Sequence, residues 1–302
     1  MHGVSRRTLL HGALGAAVVA AVRPAFAQVS AIAADLTLLE GFGGNVVALK
    51  TSDGAILVDS GHAMPDSPLL SLVEQATGGT RVHTLFNTHW HLEQIGGNET
   101  LGRAGANIVA HEKTRARLAV GYFLPAEDRY QAPVPVQAQP TESFYTTGST
   151  TIAGKRIEYG YLIEAHTDGD AYVYFRDVNV IAVGDAIAPH RDVELDWWGG
   201  GWLGGRIDSL KQLFELTDAR TRFVPSYGAA VGRAAVQAEH DMCQLLFDRF
   251  FDRVRKGETN EDMLAAGIME DTGRTWSDPA KFVHDAHKGF WGHNNTLSHD
   301  IV

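Results

Sequence analysis

The chain has 302 residues, of which 44% are hydrophobic and 21% charged, and its formal net charge is −10. This composition is typical of a soluble globular protein with one large or two small domains, and the acidic charge gives no electrostatic support to nucleic-acid binding. The single cysteine, Cys243, excludes an internal disulfide.

The first 27 residues have the pattern of an export signal. Ser5-Arg6-Arg7 precedes a short apolar run, and Ala25-Phe26-Ala27 has the small-x-small form of a cleavage site. This resembles a twin-arginine signal, which implies export of a folded protein to the periplasm; an ordinary secretory signal is the alternative. The apolar run is too short to span a membrane. We therefore expect the mature domain to comprise residues 28–302.

Strand and helix patterns alternate through the first part of this domain. We predict strands at 45–50, 55–59, 82–87 and 106–110, and helices at 67–76, from 96–98 onward, and at 111–120. Short strands follow at 150–153, 156–163, 172–175 and 178–183, then a helix at 206–216, a strand at 222–224, and helices at 234–255, 261–266 and 279–287. The alternation indicates layered sheets and helices, with a helical C-terminal part from about residue 234.

The segment 122–147 interrupts this pattern. It contains several prolines and five aromatic residues: Tyr122, Phe123, Tyr130, Phe144 and Tyr145. A long irregular insert in a compact domain is usually functional or mobile. We interpret it as a wall or lid over a pocket, with a plain surface loop as the alternative.

The stretch 87–94 contains the strongest chemical signal. His89 and His91 follow an apolar strand, and residues two apart in an extended segment face the same way. Two convergent imidazoles favour a transition-metal site. Glu93 and Gln94 come directly after them, and His166 lies further along between two predicted strands.

The order of these residues resembles the metallo-β-lactamase superfamily. The motifs that carry the resemblance are Asp59, His89-x-His91-x-Glu93-Gln94, His166, Asp185 and Tyr227, each beside an apolar run, a glycine or a turn. Thr88-His89-Trp90-His91, Ala110-His111-Glu112, Ala165-His166-Thr167-Asp168-Gly169-Asp170 and Val183-Gly184-Asp185 are similar to its glyoxalase-II-like periplasmic branch, which includes the quinoprotein-relay metallohydrolases. The resemblance covers residues 45 to 266. It implies an α+β fold, a four-layer αββα sandwich with the active site at one sheet edge.

The resemblance also implies a zinc ion held by three histidines, His89, His91 and His166. Three such ligands leave a fourth place for a water, and the metal lowers the pKa of that water to about 7. A second zinc is normally held by an Asp and a His of the first motif, the later Asp, and a final His. Of these only Asp185 is present.

The other three positions of the second site are altered. Glu93 replaces the expected Asp, and Gln94 and Tyr227 replace the two histidines. Carboxylates and an amide oxygen suit zinc poorly, so we predict one zinc per chain. Glu93 is then the candidate general base, and Asp185 a fourth ligand or an acceptor for the water. Gln94 or Tyr227 is expected to steady an oxyanion or donate a proton.

Other residues have supporting or structural interpretations. Asp59 is expected to hold a ligand loop or an imidazole N–H. Trp197 and Trp198 either line the pocket or pack in the core. His111 is expected to cap or pack against a helix. The C-terminal histidines are interpreted as a solvated polar tail, with an additional metal cluster as the alternative: His284, His287, His293 and His299.

Three functions remain open, and the sequence favours the first. It is a hydrolase that uses zinc-bound hydroxide on a small carbonyl substrate, such as an ester, thioester, lactone or β-lactam. The second is a catalytically weak or vestigial binding protein of the same fold. The third is a mononuclear-iron oxidoreductase in which His91, His166 and Asp185 form a two-His-one-carboxylate triad. The sequence does not predict an oligomeric state.

Overall fold

The computed structural model describes residues 28–41, 43–124 and 128–297, so the predicted export signal lies outside the described residues and stays a prediction. The strands are β1 (Gln28–Ala33), β2 (Leu36–Glu40), β3 (Val46–Leu49), β4 (Ala55–Val58), β5 (Val82–Phe86), β6 (Asn107–His111), β7 (Tyr122–Leu124), β8 (Arg129–Gln131), β9 (Glu142–Phe144), β10 (Thr147–Ile152), β11 (Lys155–Tyr161), β12 (Ala171–Phe175), β13 (Val180–Gly184), β14 (Arg222–Pro225) and β15 (Val231–Gly232). The helices are α1 (Leu69–Thr77), α2 (Leu92–Ile95), α3 (Asn98–Arg103), α4 (Glu112–Val120), α5 (Leu203–Leu216), α6 (Arg233–Val254), α7 (Asn260–Ala265) and α8 (Pro279–Leu297).

These strands form two large sheets and a separate hairpin. The first sheet has the order β1-β2-β3-β4-β5-β6-β9, and the second has the order β10-β11-β12-β13-β14-β15. Strands β4, β5, β6 and β9 run parallel to one another, as do β13 and β14, while the other pairs in the two sheets are antiparallel. Strands β7 and β8 pair only with each other.

The alternation of side chains along the strands sorts the core into layers. In β3, Val47 and Leu49 belong to the apolar cluster between the two sheets, whereas Val46 and Ala48 belong to the cluster beneath α1 and α3. Helix α5 covers the outer face of the second sheet through Leu210 and Leu213. The predicted four-layer αββα sandwich is therefore confirmed.

The C-terminal helices form a further apolar cluster of their own. Helix α6 contributes Leu246 and Phe250, which pack with Phe282 and Phe290 of α8. Helix α8 begins at Pro279, a residue whose fixed φ suits the first helical position. The preceding Asp278 side chain accepts the Lys281 backbone N–H at 2.9 Å and so caps the helix. No helix in the described residues is both long enough and apolar enough to cross a bilayer.

Helix α8 corrects one prediction about the C-terminus. The helix was predicted to end at residue 287, followed by a solvated tail, but it continues to Leu297. His284, His287 and His293 therefore lie on this helix, and His293 pairs with Glu164 at 3.1 Å and stacks on Trp202. His299 lies outside the described residues.

The segment 122–147 is more ordered than its composition predicted. It contains the β7–β8 hairpin, a short 3₁₀ turn at Val136–Ala138, and β9, which extends the first sheet beside β6. Pro133, Pro135 and Pro140 fall between these elements, where they remove no sheet hydrogen bond. Strands this short have too few residues to show a period, which is why the sequence did not predict them.

A buried ion pair joins two helices to the segment after β13. Arg206 of α5 and Glu239 of α6 are 0% and 1% exposed and lie 2.6 Å apart. Arg206 also donates to the Asp185 carbonyl at 2.8 Å, and Glu239 accepts the Ala188 backbone N–H at 2.9 Å. The pair thus fixes the backbone that carries Asp185.

We expect Arg206→Met to lower the free energy of unfolding by about 3–5 kcal/mol, because it leaves Glu239 buried without its main partner. Urea unfolding measures this loss. The control is Arg103→Met, which breaks the exposed Arg103–Glu99 pair at 2.6 Å and should cost less than about 1 kcal/mol. Equal losses in the two variants would contradict the role assigned to the buried pair.

Candidate metal centre

Three histidines meet where strands of both sheets end. His89 and His91 follow β5, and His166 lies in the connection that leads into β12. One ring nitrogen from each lies within 4.8 Å of the others, and the ring centroids are 4.8–5.0 Å apart. Within the residues the structure describes, no other group of three His, Cys, Asp or Glu side chains converges in this way.

Parallel strand pairs explain why the polar residues share this edge. Strands β4 and β5 are parallel, so Asp59 after β4 lies beside the loop that follows β5. Strands β13 and β14 are also parallel, so Asp185 and Tyr227 leave the second sheet at one edge. Strand β12 runs antiparallel to β13, which places its beginning, and the His166 connection, at this same edge.

The outer nitrogen of each ring is held by the protein, that of His89 by the Thr88 hydroxyl, which lies 3.1 Å from Nδ1. His91 Nε2 lies 3.0 Å from a carboxylate oxygen of Asp196, and His166 Nδ1 lies 2.9 Å from the Glu194 carbonyl. Such contacts orient an imidazole and fix which nitrogen is free for a metal.

The nitrogens on the inner sides have no comparable protein partners. His91 Nδ1 and His166 Nε2 lie 3.1 Å apart, and His89 Nε2 is buried without a hydrogen-bond partner. Three converging imidazole nitrogens are the donor set of a transition-metal site. The residues therefore fit the metal that the sequence predicts, with His89 Nε2, His91 Nδ1 and His166 Nε2 as its ligands.

The three imidazoles differ in charge. Burial lowers the pKa of His89 well below its usual value, and burial together with the charge of His91 lowers the pKa of His166 to about 3. Burial also lowers the pKa of His91, but its hydrogen bond to Asp196 and that carboxylate's charge outweigh burial and raise the pKa to about 9. A metal must therefore displace a proton from His91, while His89 and His166 already offer lone pairs.

Two buried carboxylates hold the ligand loops. Asp59, in the left-handed region with φ +59°, accepts the Thr88 N–H at 2.8 Å and the Thr88 hydroxyl at 2.7 Å. Asp170 accepts the backbone N–H groups of His166 and Thr167 at 2.6 and 2.9 Å. Burial, opposed by these hydrogen bonds, raises the pKa of Asp59 to about 8 and that of Asp170 to about 7.

The residues predicted for an altered second site surround the triad. Glu93 Oε1 lies 3.8 Å from His91 Nδ1, and its side chain is 34% exposed. Asp185 Oδ2 lies 3.7 Å from His89 Nε2 and is buried. Gln94 donates its amide N–H to Asp185 Oδ2 at 3.2 Å, while Gln94 Oε1 is buried without a partner. The two carboxylates lie beside the three-histidine group without belonging to it.

Tyr227 lies on the second-sheet side of the site. The Arg191 guanidinium carbon lies 4.1 Å from the centre of its ring. Burial, with the nearby charges of Asp185 and Glu93, raises the pKa of Tyr227 above its usual value despite the opposing charge of Arg191. The phenol is therefore protonated at neutral pH and can act as a hydrogen-bond donor.

A cavity of about 520 Å³ opens onto His91, His166 and Glu93. Segment 122–147 supplies Tyr122, Leu124 and Arg129 to its lining, so this segment forms a wall of the pocket. Trp197 and Trp198 also line it, and Trp198 faces Phe123 with the ring centroids 6.3 Å apart. The remaining lining residues are His62, Leu92, Glu194, Leu195, Asp196, Lys281 and Asp285.

Several residues of the site were not identified from sequence. Asp196, Glu194 and Arg191 lie in the connection between β13 and α5, which has no period, and Lys281 reaches the cavity from α8. The one signal for Asp196 was its place directly before two tryptophans. His111 behaves as expected, because it caps α4 by accepting the Lys113 N–H at 3.4 Å and stacks on Tyr161.

Comparisons with known proteins agree with this geometry. The sequence model described as the metallo-beta-lactamase superfamily matches residues 39–229. The fold is similar to a metallo-beta-lactamase from Pontibacter korlensis (20% identity, TM-score 0.59, covering 72% of this chain and 99% of that one) and to DIM-1 metallo-beta-lactamase (15% identity, TM-score 0.56, covering 72% and 97%). It is also similar to a double mutant of the sec-alkyl sulfatase PisA1 (14% identity, TM-score 0.66, covering 91% and 52%). No curated protein sequence matches significantly.

We expect Asp196→Asn to weaken metal binding by about 10–100-fold, because the His91 ring loses the carboxylate that orients it. Competition with a chromophoric chelator measures the affinity. The matched control is Asp218→Asn, whose carboxylate contacts Asn179 at 3.0 Å on the surface. If the two variants bind metal equally well, Asp196 does not orient His91 for metal binding.

Proposed function

The chain belongs to the metallo-β-lactamase superfamily, and from that premise we propose that it is a hydrolase that uses one zinc ion on a small carbonyl substrate. Esters, thioesters, lactones and β-lactams share the electrophilic carbonyl that such a site attacks. The observation that carries the proposal is the convergence of His89, His91 and His166, with the outer nitrogen of each ring held by the protein. Zinc bound there supplies Lewis acidity and lowers the pKa of a coordinated water to about 7.

Glu93 is the proposed general base. Its carboxylate lies beside the triad, 3.8 Å from His91 Nδ1, and faces the cavity. Because the side chain is 34% exposed, it can accept a proton from the attacking water and pass it to solvent. Buried Asp185 is the alternative acceptor, held in place by the Gln94 amide.

Tyr227 is the proposed hydrogen-bond and proton donor. Its protonated hydroxyl can hydrogen-bond to the developing oxyanion or protonate the leaving group. The Gln94 amide N–H is already directed at Asp185. This contact supports a role for Gln94 in positioning Asp185 rather than in stabilising an oxyanion.

The geometry supports three histidine ligands over an iron triad of His91, His166 and Asp185. The closest contact of Asp185 with the group is to His89, at 3.7 Å. An oxidoreductase built on two histidines and one carboxylate would leave His89 Nε2 buried and unpaired. A binding protein without catalysis keeps the same ligands, so activity measurements must separate it from a hydrolase.

Metal content tests the site directly. We expect about one zinc per chain in the purified protein, and its loss in His166→Ala, because two imidazoles alone hold zinc weakly. Elemental analysis measures both. His83→Ala, a histidine of β5 that bonds Thr84 instead, should keep its metal. Two zincs per chain would overturn the single-ion site, and full metal in His166→Ala would overturn the ligand assignment.

Glu93→Gln tests the proposed base. We expect kcat to fall by about 10²–10⁴-fold with metal content unchanged, because the amide cannot accept the proton. The substrates are p-nitrophenyl esters, lactones and nitrocefin. Glu99→Gln, an exposed carboxylate of α3, should leave kcat unaltered. A wild-type protein inactive on the whole panel supports a binding role, and an unchanged kcat in Glu93→Gln refutes the base assignment.

A further inference from the structure

Two carboxylates, Asp185 and Glu93, each lie within 3.8 Å of one of the three histidines, and Asp185 is buried. Asp185 is only 6% exposed, and the Gln94 amide, a neutral donor, lies 3.2 Å from its Oδ2. A buried carboxylate is costly unless a cation balances it. Two adjacent carboxylates also attract a divalent ion, so the source of the balancing charge determines how many metals the site holds.

Arg191 is placed to supply that charge. Its guanidinium lies over the ring of Tyr227 at 4.1 Å and pairs with Glu194, whose carbonyl orients His166. The neighbouring His190 Nε2 lies 2.9 Å from the carbonyl of Ala229, which holds the Arg191 segment against the loop that carries Tyr227. Arg191 is therefore anchored on two sides.

The same loop also adjoins the backbone that carries Asp185, so the guanidinium lies on the Asp185 side of the site. The backbone N–H of Ser226, one residue before Tyr227, donates to the carbonyl of Gly184, one residue before Asp185, at 3.0 Å. Among the charges around Asp185, that of Arg191 is the strongest attractive one, and Asp185 is the strongest attractive charge on Arg191.

We propose that Arg191, stacked on Tyr227, is the fixed cation that balances Asp185 and keeps a second divalent ion from binding beside the three histidines. The inference rests on the proposed single-zinc site and names what limits it to one ion. A guanidinium remains charged at any pH the protein tolerates, so neither metal concentration nor ordinary pH changes remove it. Its flat face stacks on the Tyr227 ring, which holds the charge in place.

The test is the number of metal ions bound by arginine variants. Apo-protein is titrated with Co²⁺ and with Zn²⁺, and bound metal is measured by equilibrium dialysis and elemental analysis. The wild type should bind about one ion and Arg191→Met about two, because the methionine keeps bulk but leaves Asp185 and Glu93 unbalanced. Arg191→Lys, which retains the charge, should return to about one ion.

Two further variants separate charge balance from general loosening. Lys281→Met removes another cation of the cavity wall, one that pairs with Asp285 at 2.7 Å, and should still bind one ion. Adding Asp185→Asn to Arg191→Met should abolish the second ion. Tyr227→Leu, which removes the ring that Arg191 stacks on, should also bind a second ion, but more weakly. This variant replaces Arg191→Met in the test if Arg191→Met does not fold.

The outcomes distinguish this inference from the proposed function. One ion in both the wild type and Arg191→Met, or in Tyr227→Leu where that variant must serve, overturns the role of Arg191 and leaves the single-zinc hydrolase standing. Two ions in the wild type overturn the single-ion site itself. A second ion that also appears in Lys281→Met assigns the effect to net charge and equally overturns a specific role for Arg191.

Discussion

The site depends on a backbone hydrogen bond between the two sheets. The N–H of Ala171, the first residue of β12, donates to the carbonyl of Thr88 at 2.7 Å. Thr88 immediately precedes His89, and Ala171 follows the His166 connection, so this one bond sets the spacing between ligands from different sheets. Imidazoles carried by different sheets meet within metal-binding distance only if this hydrogen bond keeps the two sheets in their relative position.

Burial of polar groups is the physical cost of that arrangement. Asp59, Asp170 and Asp185 are each less than 7% exposed, and burial raises the pKa of all three. Each is stabilised by a different device: backbone N–H groups for Asp170, the threonine next to His89 for Asp59, and a charged guanidinium for Asp185. Burying these carboxylates lowers the stability of the fold but orients the metal ligands, because the groups that hold the carboxylates also fix the ligand loops.

The sequence predicted the ligands better than their supports, for a physical reason. His89 and His91 directly follow an apolar strand, and His166 lies in the connection just before another, so the local pattern marks each of them as a strand-end residue. Asp196, Glu194 and Arg191 lie in an aperiodic connection, and their roles arise from contacts with residues far away in the chain, which no local pattern encodes. The edge strands β1 and β9 of the first sheet were missed for a related reason, since short or half-exposed strands have little alternation to detect.

The imidazoles and the carboxylates of the site differ in their surroundings, and this difference determines what each can do. The imidazoles lie between buried layers and are held from behind, which favours a transition metal. The carboxylates differ: Asp185 is buried and already engaged by the Gln94 amide, whereas Glu93 stands at the cavity rim and remains accessible to water. A hydrated carboxylate can pass a proton directly to solvent, whereas a buried one cannot. Two consecutive residues therefore end in different environments, because Gln94 turns inward to Asp185 while Glu93 remains at the rim.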